Sequence, residues 1–234
     1  MRRSHLIIIL SALCSLFLSA QEAAVMPYLS HPGAYQPGEW HGSAGLSLTI
    51  LPRSIVEEEI RQIPMLIASV RYGLPYDLSL QGSFSTVYLT NVVSAGLLWS
   101  VAYGPVSFGF SDHLSYWFGV ADMEGFDTGA MGLVNTPGIS AGLDIDGYKV
   151  SSRTELLLLI SQHTYFGSAS VGRIKPEVAG IISSLTLEQD LWNGTSFAFT
   201  LRANYARPNY QLWLAFSVQD RWLVYPELQA SYLF

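Results

Sequence analysis

The chain ends Pro226-Glu-Leu-Gln-Ala-Ser-Tyr-Leu-Phe234, and these residues alternate to the last position. Pro226, Leu228, Ala230, Tyr232 and Phe234 share one face, while Glu227, Gln229, Ser231 and Leu233 share the other. A period of two with one apolar face describes a strand lying between an apolar medium and a wet one.

The same pattern recurs upstream. Ala44, Leu46, Leu48 and Ile50 alternate with Gly45, Ser47 and Thr49. Leu66 to Tyr72 leads into a turn at Pro75-Tyr76-Asp77, and Leu78 to Tyr88 leads out of it. Val93 to Tyr103 runs into Gly104-Pro105, and Val106 to Phe118 returns. Ile139 to Ile145 meets Tyr148 to Ile160 at Asp146-Gly147, a dipeptide suited to tight hairpins because both central residues need positive φ. After an ambiguous stretch at 177–190, Asn193-Gly194 turns into Phe197 to Tyr205, and Arg207-Pro208-Asn209 into Tyr210 to Val218. Residues 53–64, 119–136 and 162–175 read as loops, the second because of Gly125, Gly129 and Gly132.

Half of the 234 residues are hydrophobic and only 13% are charged, and the mean hydropathy is +0.28. Past the first twenty residues no run approaches the roughly 18 apolar residues of a membrane helix. Spread apolarity of this kind fits a transmembrane barrel, whose strands need about 9–11 residues each. A formal charge of −6 without a basic patch argues against nucleic acid.

The terminal nonapeptide resembles the closing strand of bacterial outer-membrane β-barrels, which typically end in Phe with aromatic or apolar residues at every second position before it. That resemblance implies an all-β, antiparallel transmembrane barrel, with outer-membrane lipid, lipopolysaccharide and the barrel assembly machinery as partners. It also assigns Leu228, Ala230, Tyr232 and Phe234 to closure and assembly. The stretches above number about eleven, whereas a single-chain bacterial barrel has an even count, so about 12 strands are expected and 10 are possible. Tyr72, Tyr76, Tyr103, Tyr148, Trp192 and Trp222 stand beside turns, as interfacial girdles require.

The amino terminus supports export. Arg2 and Arg3 precede an apolar run from Leu6 to Leu18 and then Ser19-Ala20, the layout of a cleaved signal peptide spanning 1–20. Residues 21–42, with Pro27, Pro32 and Pro37, read as an irregular segment before a barrel domain at 43–234. The only cysteine, Cys14, lies in the signal, so no thiol chemistry is expected of the mature chain.

If the apolar faces point outward, the opposite faces form a lumen lined by Arg71, Asp144, Lys149, Arg153, Glu155, Arg202 and Glu227 among serines and amides. Charges in a narrow barrel must pair, so they are expected to form an ionic network, a conduit for a small polar solute, or both. No metal-ligand spacing or phosphate-cradling loop is present, and no cofactor is expected. His113-Leu114-Ser115, followed by Glu124 and Asp127, is similar to the His-x-Ser pair of outer-membrane lipid A deacylases, which implies His113 as base to Ser115 as nucleophile. Trp117 and Phe118 depart from that pattern, and His113 falls on the lumen face.

A porin-like channel or structural barrel is therefore the expected function. A lipid-acting hydrolase and a soluble secreted β-sandwich are the alternatives. Replacing Phe234 by serine should lower the amount of heat-modifiable barrel recovered from membranes. Unchanged recovery would count against the assignment of the last strand.

Overall fold

The computed structural model describes residues 28–50, 64–87, 89–123, 126–167, 169–174, 176–207 and 222–234. They form β1 (Trp40–Thr49), β2 (Met65–Gly73), β3 (Leu78–Val87), β4 (Thr90–Tyr103), β5 (Val106–Met123), β6 (Phe126–Ile145), β7 (Tyr148–Phe166), β8 (Ala169–Ile174), β9 (Glu177–Asp190), β10 (Ser196–Ala206) and β11 (Leu223–Leu233). All pairings are antiparallel. Neighbours run β6-β5-β4-β3-β2-β1-β11-β10-β9-β7-β8, and a further β6–β7 pairing closes ten strands into a ring. β8 stays outside the ring, paired with the far part of β7 from Gln162 to Phe166. A sheet closed on itself excludes the sandwich alternative.

The strand count is the smaller of the two that the sequence allows. The extra stretch at 210–218 lies outside the described residues, as do residues 1–20, where a signal peptide is expected, and nearly all of the loop expected at 53–64. Ring closure runs from Ser43 opposite Leu233 to Thr49 opposite Glu227, and Gly42 and Phe234 exchange both backbone hydrogen bonds.

Residues 119–136 are not a loop. β5 and β6 continue as a hairpin to Met123 opposite Phe126. Two of the glycines that suggested a break make room instead: a Cβ at Gly132 would lie 2.4 Å from Trp117 Nε1, and one at Gly129 would lie 2.4 Å from the Tyr165 ring. The segment 162–175 is likewise mostly strand, divided between β7 and β8. Register shifts opposite Leu133/Val134, Leu157/Leu158 and Thr164/Tyr165 leave one residue unpaired on the partner strand, Ile160 of β7, Ala179 of β9 and residue 171 of β8. The extra residue at Ile160 moves the inward side chains of β7 from odd positions to even ones, so alternation breaks there.

The tight turns behave as their residues require. Asp146 and Gly147, Asn193 and Gly194, and Tyr76 and Asp77 all have positive φ. These turns, with Gly104-Pro105, gather at one end of the barrel, here the turn end, beside Phe234. Outward side chains such as Leu46, Leu66, Leu97, Phe110, Ile139 and Leu201 are exposed. Tyr72, Tyr76, Tyr103, Tyr148 and Trp192 ring the turn end, and Trp222 lies at the opposite, loop end, packed against Tyr205. Two polar pairs on the outer wall are matched: Asn135 donates to Asp112 (2.5 Å), and the hydroxyls of Thr154 and Ser183 meet at 3.3 Å.

Inward-facing Val92, Trp117, Ala130, Val134, Leu157, Leu159, Ile182 and Ala206 form an apolar layer across the loop-end half of the lumen, joined by Ala179. This layer is the barrel's only apolar cluster among the described residues. Gly132→Ala should therefore destabilise the barrel by about 1–3 kcal/mol through overpacking. Trp117→Leu in the same chain should recover most of that loss. A denaturant midpoint in detergent reads both, and a neutral single variant would show that Gly132 is not there to admit the indole.

Candidate functional site

Residues 28–36 precede β1 and fold back into the lumen at the turn end. They pass as a strap between two buried charges. Glu188 on β9 accepts three consecutive backbone N–H groups, from Leu29 (2.7 Å), Ser30 (2.9 Å) and His31 (2.9 Å). Arg71 on β2, fully buried, donates to the carbonyls of His31 (2.8 Å) and Gly33. Its guanidinium also lies 4.2 Å from the Tyr35 ring centroid and 5.6 Å from that of Tyr28. Charge-assisted hydrogen bonds to main chain are among the stronger ones, and their chemistry is indifferent to the side chains of the strap.

The strap also closes on itself. The Tyr28 hydroxyl donates to the Ala34 carbonyl (3.1 Å), and the Tyr35 hydroxyl donates to the Tyr28 carbonyl. Glycines on the wall leave it space: a Cβ at Gly73 would lie 2.1 Å from the Gln36 carbonyl oxygen, and one at Gly142 would lie 2.6 Å from the His31 ring.

His31 is held as a neutral imidazole. Gly33 N–H donates to its Nδ1 (3.1 Å), which leaves Nε2 to donate to Ser107 Oγ (3.2 Å). Burial pushes its pKa down to about 4, with Lys149 and Arg71 acting in the same direction against Asp144. Glu188 binds the adjoining main chain.

Between the strap and the apolar layer lies a chamber of about 270 Å³. Leu29 and Ser30 touch it from the strap side, and Val92, Trp117, Leu157 and Ile182 from the other. Its wall carries Ser69, Ser83, Ser85, Ser94 and Ser115 with Gln81, His113, Arg153, Glu155, Arg202, Glu227 and Gln229.

The expected lumen set is thus dispersed over three places. Arg153, Glu155, Arg202 and Glu227 face the chamber. Arg71 belongs to the strap site, bonded to carbonyls instead of the carboxylate partner that charge pairing suggests. Lys149 lies at the turn end, 3.9 Å from Asp144 and 3.7 Å from Asp190, with Asp144 half-exposed at the mouth. Leu228, Ala230 and Tyr232 stand opposite Leu48, Leu46 and Ala44 in the closing pair, and Phe234 completes it.

His113 and Ser115 both line the chamber but are not bonded to each other. His113 Nε2 meets Gln81 Oε1 at 2.8 Å, and the Ser115 hydroxyl meets that of Ser94 at 2.7 Å. Asp127 lies opposite Asp122 near the far end of β5, and Glu124 is outside the described residues. The base–nucleophile pair that the deacylase resemblance implies is not formed in this geometry.

Glu188, His31 and the strap tyrosines escape the sequence reading. Glu188 had one usable signal, an acid that follows outward-facing Leu185 and Leu187 on the opposite parity of the strand, shared with Thr186.

No family model matches the sequence, and no curated protein matches it. Solved structures do. Neisserial surface protein A is 14% identical with a TM-score of 0.37, over 83% of this chain and 94% of that one. The translocator domain of autotransporter NalP from Neisseria meningitidis is 9% identical with a TM-score of 0.43, over 98% and 94%. An outer membrane channel from Pseudomonas putida F1 is 9% identical with a TM-score of 0.42, over 88% and 98%. At these identities the likeness is one of barrel fold alone.

Acid should loosen the strap. Because the docked imidazole has the depressed pKa, its contribution to docking is present above about 6.5 and is lost as pH falls toward 4. Protonation at Nδ1 also removes the acceptor for Gly33 N–H. Hydrogen exchange at residues 28–36 should accelerate over that range, and His31→Gln should flatten part of the dependence. Identical pH profiles for the two chains would rule the histidine out.

Proposed function

We propose that the protein is an outer-membrane β-barrel whose lumen is a passage for small polar solutes, held closed at rest at its turn end by its own strap and narrowed at the loop end by the apolar layer. The exposed apolar outer wall and the ring closure support the membrane setting, since lipid offers no hydrogen bonds to an open edge. Short turns then face the periplasm, and the long wall of β5, β6 and β7 rises toward the outside.

One observation carries the reading: a polar-walled lumen in which Arg71 and Glu188 fasten the backbone of residues 29–33. A barrel made only for structure needs no releasable insert, whereas a conduit needs a closed state. The chamber's balanced charges suit small polar cargo, with wall charges setting preference.

Conductance across a planar bilayer tests this. The unaltered chain should conduct rarely. Glu188→Ala removes the acceptor for three N–H groups and should weaken docking by about 2–4 kcal/mol, so open events should rise on the order of a hundredfold. A Glu188→Ala barrel that migrates as folded on a gel yet never conducts would favour the purely structural role.

A further inference from the structure

The chamber's ionic groups are not equally used. Glu227 is saturated: it accepts from Ser47 Oγ and from Gln229 Nε2 (2.7 Å), with Arg202 at 3.5 Å. Arg153 and Glu155, two residues apart on β7 and both facing inward, are not. The Arg153 guanidinium makes no hydrogen bond among the described residues, and its buried Nη2 has no partner. Its nearest acid, Glu155, is an ionic contact at 3.7 Å, outside hydrogen-bond range. Glu155 accepts no hydrogen bond either, and its other ionic neighbour, His113 Nδ1, is 3.9 Å away. The glycine at 138, where a Cβ would come within 2.8 Å of Glu155 Cγ, leaves space for the acid to lie along the wall.

A donor fork and a carboxylate therefore sit side by side in a confined space, each with capacity unused. We infer that the chamber binds a small zwitterion of amino-acid size, its carboxylate on Arg153 and its ammonium on Glu155. The inference rests on the solute-passage reading and names its cargo. A zwitterion carries both charges on neighbouring atoms, so it matches the adjacent pair and brings no net charge into the lumen. A simple anion would meet Arg153 but be repelled by Glu155. A neutral polyol would add no ionic partner, leaving each charge with only its present long contacts. The volume, about 270 Å³, is below the roughly 300–1,000 Å³ of sites for drug-sized molecules. The Ser69 hydroxyl, and the Ser94–Ser115 hydroxyl pair with acceptor lone pairs to spare, line the chamber where a polar side chain on the solute would lie.

Titration calorimetry on the full chain in detergent, with L-serine as the probe, tests the site in the unaltered barrel and in Glu188→Ala. D-Glycerate lacks the ammonium, ethanolamine lacks the carboxylate, and glycerol lacks both. Serine should bind the released barrel, and each analogue should bind about tenfold more weakly or worse. Arg153→Gln should weaken serine by a similar factor. Glu155→Gln should weaken serine while strengthening glycerate, an inversion that loss of structure cannot produce. Glycerate binding as well as serine would overturn the inference in favour of an anion site, glycerol doing so in favour of a polyol site, and no binding by any probe would remove the site. Should a variant fail to fold, the analogue series on the intact lumen still decides. A released barrel that conducts without binding serine would sink the zwitterion site and leave the passage standing; serine bound by a barrel that never conducts would do the reverse.

Discussion

An apolar outer wall is compatible with a β-sheet only when no strand edge is left open, because an unpaired backbone N–H or C=O facing hydrocarbon is costly. The pairing of β1 with β11 meets that constraint. Along this seam the two faces do different work. Leu46 and Leu48 stand opposite Ala230 and Leu228 on the outside, and on the inside the Ser47 hydroxyl donates to Glu227, which also faces Arg202 from β10. The seam is thus tied by main chain and by a buried polar cluster, and the lumen exists because it holds.

Within that lumen, Arg71 and Glu188 present opposite charges that do not touch. A peptide lies between them, offering carbonyls to one and N–H groups to the other. Both ions bind the strap's main chain without forming an ion pair, a different solution from the Arg202–Glu227 contact deeper in the barrel, and of the Arg71 guanidinium only Nε makes no hydrogen bond among the described residues. The strap is therefore part of the barrel's charge balance as well as an obstruction. Arg153 and Glu155, lacking such a peptide, are left with each other at 3.7 Å.

Where one face meets an apolar medium, alternation survives in the sequence, and the outward rows from Leu46 to Phe118 and from Phe197 to Tyr205 were legible for that reason. So was the inward placement of Arg71, Arg153, Glu155, Arg202 and Glu227. Residues 119–136 were not, because glycines that admit Trp117 and Tyr165 look the same in a sequence as glycines that turn a chain. At Ile160 and Ala179 the extra residues left unpaired by the ladders break the period itself. The strap was the least legible part. Its anchoring runs through main-chain groups, which every residue possesses, so nothing in Leu29-Ser30-His31 distinguishes a docked segment from a free one.

The order of contacts along the chain also shapes how the molecule can form. Six of the ten ring pairings join sequence neighbours across five residues or fewer, so much of the sheet assembles from local hairpins with little loop-closure entropy to overcome. Two features are different. The Ser47–Glu227 contact joins residues 180 apart, and the Leu29–Glu188 contact joins residues 159 apart. The first must bring the two ends of a nearly finished sheet together, which makes it the slow, entropically demanding event. The second needs Glu188 already set in a wall that faces Arg71, so the strap docks after the ring has closed, and the barrel's interior is completed last by the segment that precedes its first strand.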